Sequence, residues 1–428
     1  MPSMQDRIET IAGRARFLLS ACPCEYAEIR LSASRGVSIS LAGNQVETFS
    51  AGDTVGGSVR ILKDGAWAFV SFNDLSAIED HFRRGHAISS SVNHSEKTKI
   101  RPYGHVRGHF ATPCVDDFDA ISLEDKFNLI SSYNRLLKSS RMIQTTRAAY
   151  RDVRSFYAYL NTEGSDITYD RAYCGVSLSS VAKDGARIQP YGESTSGYGG
   201  FELVRGLEAT AEGVAKRAVD LLSAESVPGG AYRVVADQKL AGVFIHEAFG
   251  HLSEADFVHE NERLREEMVL GRRFGPPELN VIDSGHHPGL AGHIPFDDEG
   301  VLPEETRLIT GGLLSGRLHS RETAEKMDEA LTGNARAIGV TQQPIVRMTN
   351  TYIENGAHER DAIIEEAGDG IYAAGVIGGE TNLEMFTFTS GYGYEIRRGK
   401  LGRMYRDIVL SGNVFTTLAA IEMIGNDR

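Results

Sequence analysis

The stretch GVFIHEAFGHLSEADF, residues 242–257, places two histidines and a glutamate in a mainly apolar segment. Residues 241–245 before the first histidine are continuously apolar, which indicates a buried helix. A His-Glu pair on a buried helix needs polar partners, because unpaired buried polar groups are costly. Imidazole and carboxylate are also ligand types that suit Zn²⁺. We interpret His246 and His251 as metal ligands and Glu247 as the general base.

The spacing of the two histidines constrains the local backbone. In a regular helix, residues five apart point about 140° away from each other, so their imidazoles cannot easily share one ion. A single wide turn with i→i+5 hydrogen bonds would return them to nearly one face, and Gly250 would tolerate the distortion. The spacing therefore predicts a distorted helix between His246 and His251. The alternative is a pair of unrelated structural histidines on an ordinary helix, which is the commoner situation.

Composition and charge exclude several classes of function. The chain of 428 residues has a formal net charge of −13 and a pI of about 5.5, which argues against a nucleic-acid surface. No window approaches the roughly 18 to 20 apolar residues that span a bilayer. The cysteines show no zinc-ribbon spacing and imply no disulfide framework: Cys22, Cys24, Cys114 and Cys174. We expect a soluble, cytoplasmic protein without membrane or nucleic-acid partners.

Turn signals and periodicity divide the chain into three parts. The N-terminus reads as an amphipathic helix, not as a signal peptide, and short alternating strand patterns follow it. Residues 120–145 and 207–224 read as helices, and VPGG at 227–230 interrupts the pattern. We predict an α+β protein with an N-terminal α+β domain at 1–110 and a middle helix-plus-strand domain at 111–226. A mostly antiparallel β domain at 227–428 would carry the motif helix.

Several motifs together resemble one known family. HEAFGH, followed by Glu254 and Asp256, is similar to the HEAxGH-x-x-E-x-D signature of the TldD/PmbA peptidases. Segments in the last part resemble the family's third domain, namely FDDEG at 296–300, TGNAR at 332–336 and RMTNTYIENG at 347–356. YAEIR at 26–30 and VRILKDGAWAF at 59–69 resemble its first domain. The resemblance covers nearly the whole chain.

The resemblance implies a cytoplasmic zinc metallopeptidase that acts on peptides and unfolded protein segments. His246 and His251 match the family's zinc ligands, and Glu247 matches its general base. Family members pair a TldD-type subunit, which carries HExxxH, with a PmbA/TldE-type subunit that lacks it. This chain carries the motif, so it resembles the catalytic subunit, and its expected partner is a PmbA/TldE-type subunit or a second copy of itself.

The sequence departs from the family at the third zinc ligand. That ligand is a cysteine in a Cys-Gly-Lys stretch after an IGND-like segment, whereas here IGND at 424–427 is followed only by Arg428. We expect either a truncated chain or another ligand, with Glu254, Asp256 and His259 as nearby candidates. Two alternatives stay open. One is a non-catalytic peptide-binding subunit with an incomplete metal site, and the other is an amidase that uses the same metal on a different bond.

Other polar clusters have weaker functional interpretations. His286, His287 and His293 lie among Gly and Pro residues, which favours a solvated loop over a metal cluster. The acidic run at 297–299 reads as scaffold of the third domain. Arg347 reads as a structural residue. The glycine-rich run at 192–200 reads as a loop and lacks the Lys-Ser/Thr ending of a phosphate-binding loop.

Overall fold

We describe the fold from a computed structural model, in which residues 3–91, 97–382 and 384–428 are described. Long strands dominate the first half of the chain, and they form one seven-stranded sheet in the order β3-β2-β1-β5-β6-β4, with β7 paired to β6. Its strands are β1 (Tyr26–Ala42), β2 (Gln45–Lys63), β3 (Ala66–Phe72), β4 (Arg107–Ala111), β5 (Ile143–Asn161), β6 (Asp166–Asp184) and β7 (Arg187–Tyr198). Only the β4–β6 pairing in this sheet is parallel.

Two glycine-containing segments are strands where the sequence predicts breaks. The sequence pattern predicts separate short strands at 27–32 and 36–41, but these residues form the continuous strand β1, in which Gly36 pairs with Val153 of β5. A Cβ at Gly36 would lie 2.9 Å from the carbonyl oxygen of Asp152, so this glycine permits close strand packing and does not mark a turn. The prediction of a loop at 192–200 is also wrong, because β7 pairs with β6 as far as Tyr198.

Four helices cover this sheet: α1 (Met4–Ser20), α2 (Ile78–Ser91), α3 (Leu123–Leu137) and α4 (Glu208–Ser223). The amphipathic N-terminal helix is confirmed, and its buried residues recur at helical spacing. The helix predicted at 120–145 is shorter than expected, because it ends at Leu137 and β5 begins at Ile143. The helix predicted at 207–224 agrees with α4 to within one residue at each end.

The last part of the chain contains short strands in four small sheets. The sheets have the orders β12-β11-β10-β15, β13-β14, β8-β20-β19-β16-β9 and β17-β18-β21. Their strands are β8 (Glu225–Ser226), β9 (Val234–Ala236), β10 (Val281–Ser284), β11 (Glu305–Thr310), β12 (Leu313–Leu314), β13 (Ala335–Arg336), β14 (Ile345–Val346), β15 (Asn350–Ile353), β16 (Gly370–Ala374), β17 (Gly378–Asn382), β18 (Met385–Thr389), β19 (Tyr392–Arg397), β20 (Lys400–Arg406) and β21 (Val409–Asn413). Pairing is antiparallel except for β9–β16 and β8–β20, as a mostly antiparallel domain requires.

The helices of this part are short and surround the motif. They are α5 (Gln238–Ile245), α6 (Ala255–Glu260), α7 (Glu262–Glu267), α8 (Arg321–Met327), α9 (Arg360–Ala367) and α10 (Val414–Ala419). Ile245, Ala248, Phe249 and Leu252 belong to the largest apolar core, and the ring of Phe249 packs 5.5 Å from that of Phe274. Burial of this apolar face fixes the motif segment in the domain and leaves its polar residues on the other side. The helices of the described residues are all too short or too polar to span a bilayer.

Buried ion pairs join the first sheet to the acidic run at 297–299. Arg60 lies 2.6 Å from Glu299, and both side chains are buried. Arg30 lies 3.2 Å from Asp298, and the hydroxyl of Tyr159 donates to the carbonyl of Glu299. The acidic run therefore serves as scaffold between sheets. Because β1 and β5 pair along their length, the first two parts share one sheet, and the boundaries at 110 and 226 stay predictions.

Candidate active site

The motif helix has a capped start and ends in one wide turn. The Asp237 carboxylate accepts a hydrogen bond from the backbone N–H of Leu240 at 2.8 Å, as expected of an N-cap residue. After α5, residues His246–Gly250 form a π-helix, and the N–H of His251 donates to the carbonyl of His246. This bond spans five residues. The distorted helix predicted from the histidine spacing is confirmed.

Gly250 has a different role from the one its sequence position suggests. Its backbone has φ −58° and ψ −49°, which are ordinary right-handed helical values open to any residue. A Cβ at this position would lie 2.0 Å from the sulfur of Met348. The glycine therefore permits close contact between the wide turn and Met348 and supplies no unusual backbone conformation.

The wide turn brings the three polar side chains of the motif together. One candidate ligand atom from each of His246, Glu247 and His251 lies within 4.8 Å of the others. The two imidazole centroids are 5.3 Å apart with ring planes at 82°. A carboxylate oxygen of Glu247 lies 3.6 Å from Nε2 of His251. Among the described residues, this is the one group of three such side chains close enough to share an ion.

A buried carboxylate orients His251. Oε1 of Glu254 lies 3.1 Å from Nδ1 of His251, and Oε2 accepts a hydrogen bond from Arg347 at 2.6 Å. An Nδ1–H that donates to Glu254 leaves the Nε2 lone pair directed towards Glu247 and His246, a tautomer assigned from this hydrogen bond. Arg347 is thus a structural residue, as expected, and it compensates the charge of a fully buried carboxylate.

The two imidazoles differ in their ionisation. Burial, followed by the charge of His251, lowers the pKa of His246, so its neutral form is favoured. The hydrogen bond to Glu254 raises the pKa of His251 above its ordinary value. Burial raises the pKa of Glu254 despite its contact with His251. A neutral His246 has a free ring nitrogen, which ligation of a cation requires.

The expected third ligands lie outside this group. Glu254 is occupied by His251 and Arg347, and Asp256 accepts a hydrogen bond from the N–H of Val346 at 3.1 Å. His259 lies further along α6, and within the described residues it is not part of a candidate metal group.

The site opens into a cleft of about 1090 Å³ between the large sheet and the last part of the chain. His246 and Glu247 line it, together with residues from β6, β7, β15 and the segment 287–292. Lys239 on α5 forms an ion pair with Glu193 of β7 at 2.8 Å across the cleft wall. At the rim, Gln238 donates to the carbonyl of Asp427, and Arg428 stacks over the ring of Tyr352.

The segment that contains three histidines is only partly the solvated loop predicted from sequence. His286 is exposed, but His287 and His293 are half-buried. His287 lies 3.4 Å from the hydroxyl of Tyr352 in the cleft, and His293 lies 2.7 Å from the carbonyl of Gly285. Sequence reasoning missed His287 and Tyr352 as cleft residues, because their positions depend on the packing of segments far apart in the chain.

Comparison with family models gives three matches along the chain. Residues 27–89 match PmbA/TldA metallopeptidase domain 1, residues 116–222 match the central domain, and residues 229–428 match the C-terminal domain. The C-terminal match contains the motif and the whole group of His246, Glu247 and His251. The three matches occur in the same order as the three predicted parts of the chain.

Individual proteins give the same assignment. The chain is 42% identical over 405 residues to a metalloprotease of Synechocystis, covering 94% of this chain and 87% of that protein. It is 27% identical over 384 residues to a zinc metalloprotease TldD homolog of Saccharolobus solfataricus, covering 87% and 82%. Its fold is similar to that of TldE from Thermococcus kodakarensis, with a TM-score of 0.75, 17% identity and coverage of 98% and 94%. The chain therefore belongs to the PmbA/TldD metallopeptidase family.

Proposed function

We propose that this protein is a zinc-dependent metallopeptidase that hydrolyses peptide bonds in peptides or unfolded protein segments. One observation carries the proposal: the wide turn places ligand atoms of His246, Glu247 and His251 within 4.8 Å of one another at the wall of a large cleft. His246 and His251 are the residues that would hold the zinc ion. The metalloprotease names of the relatives, one of them a zinc metalloprotease, support this assignment.

The donor groups fit zinc. Two imidazoles and an adjacent carboxylate are ligand types that zinc accepts, and catalytic zinc sites keep one position open. The contact of His251 with Glu254, itself paired with Arg347, is the outer-shell arrangement that fixes the orientation of a ligating histidine. The lowered pKa of His246, caused first by burial, also favours the neutral ligand form.

The residues of the site have separate roles in the proposed hydrolysis. A zinc ion held by His246 and His251 would polarise the scissile carbonyl and lower the pKa of a neighbouring water molecule. Glu247 accepts the proton of the attacking water and delivers it to the nitrogen of the leaving amine. Its carboxylate lies beside Nε2 of His251 and is partly exposed, so it reaches both the candidate ligands and the cleft.

The cleft geometry favours an extended peptide as substrate. Within the described part of the chain, β15 pairs only with β10, and three of its residues line the cleft. An extended peptide can hydrogen-bond to such an edge strand through its backbone, which recognises unfolded chains with little sequence preference. A proline scan of a cleaved peptide tests this idea, because proline lacks the N–H donor. We expect cleavage to fall at alternate positions, and an unaffected scan would contradict edge-strand binding.

Cleavage of an unfolded protein by wild type and by Glu247→Gln tests the proposed reaction. We expect the variant to lose roughly 10² to 10⁴-fold in rate, because the general base is gone, while zinc content per chain is retained. Glu260→Gln is the matched control, since Glu260 is exposed and lies near the same segment. Equal cleavage by all three proteins would contradict the peptidase assignment. A parallel assay on small formyl and acetyl amides distinguishes a peptidase from an amidase of narrower substrate range.

The second candidate function is a non-catalytic peptide-binding subunit of a PmbA/TldD-type complex. It is favoured by the absence, within the described residues, of a cysteine from the His246–Glu247–His251 group. We propose a PmbA/TldE-type subunit, or a second copy of this chain, as the partner, and light scattering of the chain with and without such a subunit measures the assembly. Peptide binding without zinc uptake or cleavage in either assembly would favour this second function.

A further inference from the structure

A second, smaller cavity lies beside the cleft and has a distinct chemical character. Its volume is about 220 Å³, and it lies between the large sheet and the last part of the chain. Four aromatic side chains line it: Tyr157, Tyr159, Tyr169 and Phe296. Three arginines and a histidine also line it: Arg30, Arg171, Arg336 and His293. We call it the arginine pocket.

The carboxylates of the arginine pocket are already occupied. Asp297 accepts hydrogen bonds from three backbone N–H groups, those of Glu299, Val301 and Ala335. Asp298 accepts a hydrogen bond from the N–H of Ala337 at 2.8 Å and lies 3.2 Å from Arg30. These two acidic groups therefore stabilise the pocket walls, and within the described residues neither of them forms an ion pair with Arg171 or Arg336.

Arg171 and Arg336 have no carboxylate within 4.0 Å among the residues that the structure describes. Arg171 stacks over the ring of Tyr198 at 4.2 Å, and Arg336 donates to the carbonyl of Met348. Both guanidinium groups line the same small cavity. Burial, followed by the charge of Arg171, lowers the pKa of Arg336, although the charges of Asp298 and Asp283 act in the opposite direction. Placing two like charges together in a partly buried cavity is costly unless an anion joins them.

Arg30 adds a buried donor at the same place. Its side chain is 3% exposed, its Nη2 donates to the carbonyl of Gln342, and its Nη1 lies 3.2 Å from Asp298. Arg30 is therefore paired within the protein and adds positive charge to the wall of the pocket.

The arginine pocket is adjacent to the proposed active site. Residues 287–292 line the cleft, and residues 293–298, which follow directly in the chain, line the pocket. On the other side, Arg336 donates to the carbonyl of Met348, and Met348 packs against Gly250 in the wide turn. Chain continuity and the contact through Met348 therefore connect the pocket wall to the cleft wall and to the wide turn.

We propose that the arginine pocket binds a carboxylate group of the peptide substrate through Arg171 and Arg336. This proposal rests on the proposed function, because it assumes a peptide in the cleft. Guanidinium groups match the planar geometry of carboxylates and form two parallel hydrogen bonds with them. The cavity of about 220 Å³ is of a size for one side chain or one chain end, and its aromatic walls would pack against the aliphatic part. The carboxylate comes either from an Asp or Glu side chain or from the peptide C-terminus.

Peptide binding to the metal-free protein tests this proposal independently of catalysis. The probes are N-terminally labelled peptides of one sequence that differ in a single group. One pair compares Glu with Gln at an internal position in an amidated peptide, and the other compares a free C-terminus with an amide. Fluorescence anisotropy gives the Kd of each. We expect one anionic peptide to bind about tenfold or more tightly than its neutral counterpart, as charged hydrogen bonds provide. The pair that shows the difference identifies the source of the carboxylate.

Substitutions of the pocket arginines test whether the preference for the anionic peptide comes from the arginine pocket. Arg171→Gln and Arg336→Gln, singly and together, are expected to remove the preference for the anionic peptide and leave the Kd of the neutral peptide within about twofold. Arg397→Gln is the matched control, because Arg397 is exposed and lines neither the cleft nor the pocket. Circular dichroism verifies folding, and Arg171→Gln alone serves if the Arg336 variant does not fold.

Each outcome separates this proposal from the proposed function. Equal binding of anionic and neutral peptides by wild type would contradict carboxylate binding in the arginine pocket. So would a preference for the anionic peptide that persists in the folded variants. Neither result bears on the proposed peptidase activity. A preference that the variants remove supports the pocket even when the zinc-loaded protein cleaves nothing. If no peptide binds, both proposals are contradicted: carboxylate binding in the arginine pocket and a peptide as the substrate.

Discussion

The backbone N–H of His251 donates to the carbonyl of His246, and this bond across five residues places their ring centroids 5.3 Å apart. In a regular helix the two side chains would point about 140° away from each other. The proposed zinc site therefore depends on one local feature of the backbone. The residues that stabilise this turn are as important to the site as the ligands themselves.

Gly250→Ala tests the packing of the wide turn. The new methyl group would meet the sulfur of the buried Met348 at 2.0 Å, so the core must rearrange. We expect the free energy of unfolding to fall by about 1–3 kcal/mol, as measured by chemical denaturation.

Gly242→Ala is the control on the preceding helical turn, because a Cβ there would meet no atom within 4 Å. We expect this variant to be neutral or stabilised by up to about 1 kcal/mol, the difference in helix propensity. If both variants are destabilised equally, the close contact with Met348 is not the reason that residue 250 must be a glycine.

Glu254→Gln tests the orientation of His251. The amide keeps the shape of the side chain but removes the charged acceptor that lies 3.1 Å from Nδ1 of His251. We expect zinc affinity to fall roughly 10- to 100-fold, the usual effect of losing an outer-shell partner, as measured by competition with a chelating dye. Glu260→Gln should bind zinc like wild type. An unchanged affinity in Glu254→Gln would exclude this role for Glu254.

The pH dependence of stability tests a buried ionic cluster away from the site. Burial alone would raise the pKa of Glu329, but its contacts with His319 and Arg317 lower it below the ordinary value. A carboxylate with a lowered folded pKa stabilises the protein above its unfolded pKa, and this contribution is lost as the pH falls through the folded pKa.

Glu329→Gln should therefore be destabilised by about 1–3 kcal/mol near neutral pH. The difference from wild type should shrink below the ordinary glutamate pKa of 4.5, as measured by denaturation at a series of pH values. If the difference in free energy of unfolding between the two proteins stays constant throughout this acidic range, ionisation of Glu329 contributes nothing to stability.

The sequence was most informative where a local rule conflicts with a required geometry. Two histidines five residues apart cannot share an ion on a regular helix, so the spacing predicts a distortion, and the π-helix at His246–Gly250 agrees with it. The buried face of α1 was also predictable, because helical periodicity depends only on neighbouring residues. The α+β fold and the family follow from such local patterns together with several motifs.

Contacts between distant segments could not be predicted in this way. Gly250 was expected to loosen the helix, but its role is set by Met348, which comes from a remote part of the chain. Gly36 was expected to begin a separate short strand, but it lies within the continuous strand β1, where the backbone of β5 passes close to it. Arg171 and Arg336 lie far apart in sequence, and only the folded chain brings them to one cavity.

The position of zinc in crystals of the zinc-loaded protein is the most direct test of a metal site shared by His246 and His251. Anomalous scattering measured on both sides of the zinc absorption edge locates the ion without assumptions about its ligands. We predict one peak within bonding distance of a ring nitrogen of both His246 and His251, with the carboxylate of Glu247 beside it. A peak that contacts only one of these histidines, or that lies elsewhere in the chain, would contradict the account.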